Sequence, residues 1–181
     1  MSTPKLYKAV SSEGCTFCAP ASGRHKDAEL AIFDRLDGNG SGKLPEIEIV
    51  RFDNGSVLRD CDMPDFHSSL LVMNARALRV LSETLAPCGV VGELPCRDGQ
   101  YYVFACNVMA DAVDLTMSDC LRLDTGRVYM IIKHVFVPQR IPSADVFQLQ
   151  VFGKSGPLYF SDNIVSLIKQ AKLTGLEFQR L

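Results

Sequence analysis

The stretch LDGNGSGKLPEIE, Leu36 to Glu48, has the oxygen spacing of a calcium loop, with Asp37 at position 1, Asn39 at 3, Ser41 at 5, Gly42 at 6 and Glu48 at 12. Oxygens on alternate residues can wrap a hard cation where a glycine lets the chain bend, and Phe33 stands where the entering helix of an EF-hand carries an aromatic. The exit departs from the motif. Pro45 occupies position 9, and EIEIVRFDNG alternates as a strand does and ends in the turn signal Asp53-Asn54-Gly55. No second loop of this kind is visible, so the expectation is an ordinary surface turn, with Asp37, Asn39, Ser41 and Glu48 as the candidate calcium ligands of an alternative, calcium-binding regulatory module. A phosphate loop is excluded, because Asp37 stands where the first glycine is required and Leu44 where Ser or Thr is required.

Cys15 and Cys18 form a CxxC in GCTFCAP, the pattern of a redox pair or half a zinc site. A redox pair belongs at the start of a helix, but Pro20 and Gly23 follow; zinc would need two further ligands, and only His25 is at hand. The spacing is therefore read as incidental, with a cysteine-based redox protein as a second alternative. Seven cysteines in apolar strings such as VFACNVM suit buried, reduced thiols rather than a disulfide framework. His25, His67 and His134 form no pattern with a nucleophile, and Gly153-Lys154-Ser155-Gly156 lacks the last glycine of a nucleophile elbow. No catalytic group assembles, so the chain is expected not to be an enzyme, and no cofactor is implied.

With 181 residues, 47% of them hydrophobic and 22% charged, the chain can bury one substantial core. Its formal net charge of -2 argues against direct binding to nucleic acid or anionic membranes. The amino terminus lacks the apolar core of a signal peptide, and no run approaches the roughly 20 apolar residues that cross a bilayer, so the expected location is the cytoplasm. Charge is uneven: residues 29–65 hold nine acids against four bases, and Asp111, Asp114, Asp119 and Asp124 face only Arg122 between residues 107 and 126.

The elements that must carry these residues follow from periodicity. KDAELAIFDRL and NARALRVLSETL each set a single apolar stripe at helical spacing, and FSDNIVSLIKQAKLTG does so after a Ser161 cap and before Gly175. EIEIVRF, YYVFACNV, RVYMIIKHVFV and LEFQRL read as strands, as does DVFQLQVF, in which Gln148 and Gln150 predict one wet face. Irregular mixing of helices and strands predicts an α+β fold, with a small amino-terminal lobe over residues 1–63 and a larger unit over 64–181.

From Pro64 onward, GELP followed by YYVF, then the string from Asn107 through Asp111–Leu115 to Ser118, and finally the SD and LTGLEF pieces at the end resemble the immunity proteins of bacterial polymorphic toxin systems, in the family catalogued as immunity protein eleven. The resemblance covers about two-thirds of the chain, while residues 1–60 match loosely and tryptophan is absent. It implies a cytosolic α+β protein without catalysis of its own that binds and neutralises a cognate toxin encoded nearby. Asp111, Asp114, Asp119 and Asp124 then become candidate partner-binding residues facing a basic toxin surface, although Asp111 and Asp114 belong to the family string and equally suit capping or bracing the fold.

Overall fold

A computed structural model describes residues 4–38, 40 and 43–181. The chain opens with β1 (Leu6–Ser11), β2 (Phe17–Pro20), α1 (His25–Leu36), β3 (Ile47–Val50) and a small ribbon of β4 (Phe52–Asp53) and β5 (Ser56–Val57). It continues with β6 (Leu70–Asn74), α2 (Ala75–Leu85), β7 (Gly89–Leu94) and β8 (Tyr101–Cys106). The last third holds β9 (Met109–Ala110), β10 (Asp119–Arg122), β11 (Val128–Lys133), β12 (Val146–Leu149), β13 (Leu158–Ser161), α3 (Asp162–Gln170) and β14 (Leu176–Arg180). The class is α+β, as expected: three helices and mostly antiparallel strands among the described residues.

Two sheets organise the core. One has five strands in the order β14-β1-β13-β12-β9, with only the β12–β9 pair parallel; the other has three, β6-β8-β7. The three-stranded sheet is buried on two faces and the five-stranded sheet on one face and part of the other, and strand alternation divides their side chains between three apolar clusters. Leu71, Met73 and Phe104 of the three-stranded sheet meet α2, α3 and Leu158 and Phe160 of the five-stranded sheet in the central cluster. The alternate residues Leu70, Val72 and Val103 turn to the opposite face, where Ile32 and Phe33 of α1 and Ile47 and Ile49 of β3 cover them. Phe147, Leu149 and Tyr159 leave the far face of the five-stranded sheet and are covered by Val128 and Ile131 of the β10–β11 hairpin.

The helices carry the stripes read from sequence, and the starts of α2 and α3 are capped by side chains, whereas α1 starts after Arg24 without one. Asn74 accepts from the Ala77 N–H at 2.9 Å, and the Ser161 hydroxyl accepts from the Ile164 N–H at 3.4 Å. Asp62, largely buried, ties distant segments together: its carboxylate accepts from Asn74 Nδ2, Arg76 Nη1 and the Thr174 N–H at 3.1, 2.6 and 3.0 Å. Gly175 makes that junction possible. It has φ +112, and a Cβ there would lie 2.1 Å from the Met63 carbonyl oxygen.

Two expectations are corrected. Gln148 is fully buried, not on a wet face, and its Nε2 donates to the Lys154 and Gly156 carbonyls at 2.8 and 2.7 Å. Gln148 points away from Phe147 and Leu149, and the loop after β12 folds over it on that face; β12 ends at Leu149, where a 3-10 turn, Gln150–Phe152, begins and leaves Gln150 exposed. The run RVYMIIKHVFV is a strand only to Lys133; beyond it His134 and Phe136 turn onto Tyr159 in an aromatic group. Strands β1, β2, β6, β7 and β13 lie in stretches without a legible period.

Candidate functional site

The hairpin of β10 and β11 presents the residues of most interest. Register slips at Asp119/Cys120 and Leu121/Arg122 disturb the two-residue alternation, so β11 buries every third residue, Val128 and Ile131, and exposes the pairs between and after them. The turn closes with the Leu123 N–H donating to the Arg127 carbonyl at 2.9 Å and with Gly126 at φ +80. The outward face therefore carries Leu121, Leu123, Tyr129, Met130 and Ile132, with Tyr129 63% and Ile132 57% exposed. Scattered exposed apolar residues are ordinary, but five on one ribbon form a patch of the kind that marks interaction sites.

The four acidic residues of this region take different positions. Asp114 is used within its own turn, its Oδ1 accepting from the Thr116 and Met117 N–H groups at 2.9 and 3.1 Å. Ser118 of the same string accepts from the Val135 N–H at 2.9 Å, and Asp111 pairs with Arg140 at 3.1 Å. These contacts set the base from which the hairpin leaves. Asp119 begins β10 and Asp124 stands in the turn, both exposed at the two ends of the apolar face.

Beside the hairpin lies a groove of about 600 Å³. The hairpin covers the β12–β13 half of the five-stranded sheet and leaves the β1–β14 half open, so Lys8, Val10 and Gln179 form one side of the groove, and Leu123, Arg127, Tyr129 and Met130 the other. His67 closes one end. Its Nδ1 lies 2.8 Å from Ser69 Oγ and 3.2 Å from Oε1 of Glu29, and Ser69 Oγ donates to the same carboxylate oxygen at 2.6 Å. The Glu29 partnership holds the His67 pKa above its ordinary value. Burial pushes Glu29 up, but hydrogen bonds from His67, Ser69 and Ser155 outweigh it and the net shift is downward. Sequence reading left this cluster out. The signal available was Glu29 itself, an acid beside Ala28 on the buried stripe of α1 and only 3% exposed in the fold.

The other candidates are placed as follows. Asp37 is ion-paired with Lys154, Glu48 is exposed on β3, and Asn39 and Ser41 lie outside the described residues. The loop exits into a strand. No group of three or more His, Cys, Asp and Glu with ligand geometry occurs among the described residues. Cys18 is packed beneath α1 and burial pushes its thiol pKa well up, while Cys15 is half-buried in a bridge with Arg59, so the CxxC holds no exposed thiolate at Cys18. His134 donates to or accepts from Tyr159 Oη at 2.9 Å, and burial, with Lys8 nearby, lowers its pKa to about 4. No helix among the described residues is long and apolar enough to cross a membrane.

Compared with known proteins, residues 23–181 match the Immunity protein family (Imm11). No curated protein matches the chain.

Proposed function

The chain belongs to the immunity protein family Imm11, and from that premise we propose that it acts in the cytoplasm by binding a cognate toxin encoded nearby and neutralising it as a stoichiometric complex rather than by catalysis. The observation that carries this reading is the outer face of the β10–β11 hairpin, an apolar surface backed by Val128 and Ile131 in the core. A rigid apolar patch with Tyr and Met at its centre suits the desolvated middle of an interface. Asp119 and Asp124 at its ends supply charge that steers a basic toxin surface into register, while Asp111 and Asp114 hold the hairpin base and add to the same field.

The test is co-expression with the toxin and pull-down of the purified pair. Expected is a one-to-one complex, with protection lost in the double variant Tyr129→Ser, Ile132→Ser while its melting temperature stays near that of the parent. Protection at substoichiometric levels without a complex would mean that the protein reverses the toxin's damage, and would sink the binding reading.

A further inference from the structure

The groove beside the hairpin has a chemistry opposite to that of the hairpin's ends. Lys8 and Arg127 stand on its two sides, and neither has an ion-pair partner among the described residues. No Asp or Glu lines it, although the chain as a whole is net acidic. Between the two cations the walls are apolar and open: Val10 is 44%, Leu123 49% and Met130 45% exposed. Strand alternation explains the exposure on the β1 side. Leu6, Lys8 and Val10 share one face of β1, but the hairpin reaches only Leu6, which is buried with Phe147 and Tyr159.

We propose that this groove is the docking site for an acidic segment of the toxin, in which one or two apolar side chains enter between Val10 and Met130 and flanking carboxylates meet Lys8 and Arg127. The inference rests on the toxin-binding reading above. Charge complementarity selects the occupant: two uncompensated cations beside an apolar trough favour carboxylates near apolar side chains and repel a basic segment. Together with Asp119 and Asp124, the groove gives the surface two signs, which fixes one orientation of the partner where a single sign would allow several.

The experiment compares three forms of the full chain with the toxin by calorimetry: the parent, Lys8→Glu with Arg127→Glu, and Lys8→Arg with Arg127→Lys. Expected is a complex with the parent, a dissociation constant raised about 10-fold or more by the reversal, and near-parental affinity in the charge-conserving pair. A second variant, Val10→Asp, tests the apolar trough without touching the cations or the hairpin's outer face and is expected to weaken binding similarly. Circular dichroism melts check that each variant is folded, since Val10 and Arg127 are exposed but Lys8 is half-buried. A parental complex that the reversal and the trough variant both leave at full affinity overturns the groove assignment alone; absence of any complex with the parent overturns the toxin-binding reading itself. Binding of a single-stranded oligonucleotide by the parent, lost on reversal, or a dimer of the free protein that the trough variant dissociates, overturns the acidic-segment assignment in favour of nucleic acid or a second copy.

Discussion

Asp62 and the two partnered histidines show how burial and hydrogen bonding pull in different directions at single residues. Burial alone would raise the Asp62 pKa, but the donors Asn74, Thr174 and Arg76 outweigh it and the shift is downward. A depressed folded pKa contributes stability above the unfolded value of about 3.9, and that contribution is lost as pH falls through the folded pKa. Asp62→Ala should therefore cost about 2–3 kcal/mol at pH 7, because it leaves the Thr174 N–H and Asn74 without an acceptor. Urea melts should show the gap from the parent shrinking near pH 3, and an unchanged gap would refute the assignment. The histidines should titrate on opposite sides of the ordinary value. His67, held up by Glu29, stabilises the fold fully below about pH 6.5 and progressively less as pH rises through its folded pKa. His134, lowered to about 4, does the reverse: its contribution is present above about 6.5 and falls away as pH drops toward 4. Proton NMR titration of the ring signals checks both, and a His67 midpoint below that of His134 would contradict the geometry.

At the scale of elements, the hairpin and α1 separate what pattern reveals from what packing decides. Ile131 and Ile132 are neighbours of the same type, yet one is buried against Phe147 and Tyr159 and the other is exposed. Ile131→Ala should cost about 2–4 kcal/mol by opening a cavity, whereas Ile132→Ser should change stability by about 0.5 kcal/mol or less and act on toxin binding instead. Denaturant melts paired with binding measurements distinguish the two, and equal stability losses would mean that the outer face is covered. The register slips that produce this three-residue spacing come from pairing β10 with β11, and RVYMIIKHVFV, continuously apolar apart from its cations, carries no mark of them. By contrast, α2 and α3 were legible because an amphipathic stripe and a cap are local features: Ser161 caps in the structure as its position in FSDN suggested. Glu29 was not legible as a site, because its partners His67 and Ser69 follow it by about forty residues and only the packing of α1 on the sheet brings them together.

The whole molecule depends on its ends. β1 lies between β13 and β14, pairing Leu6 with Ser161 on one side and Ser11 with Leu176 on the other, so the first described strand occupies an interior position of the larger sheet. The family match begins at residue 23, beyond β1. A fragment of residues 23–181 is accordingly expected to lose cooperative unfolding, since β14 would have no sheet to join and Phe160 and Phe178 would lose their shared cover; a sharp melt equal to that of the full chain would refute this. For the complex, added salt should slow association more than it speeds dissociation, and Asp119→Lys with Asp124→Lys should slow it likewise, as stopped-flow mixing would measure. An association rate indifferent to salt would remove the steering role. The family was readable from the strings after Pro64, and the match extends it toward the amino terminus, where the α1 stripe and the EIEI alternation carry the fold with few distinctive residues. The sequence by itself determined the α+β class, the helices with the Ser161 cap, and the family, because propensity, periodicity and motif order are properties of neighbours along the chain. Only the tertiary structure decided that Gln148 is buried, that Glu29 holds His67 and that Lys8 and Arg127 face each other across an open groove. Each of those depends on which distant surface covers a given face, and a face buried on both sides, or left half-covered by a hairpin, leaves no periodic trace in the order of its residues.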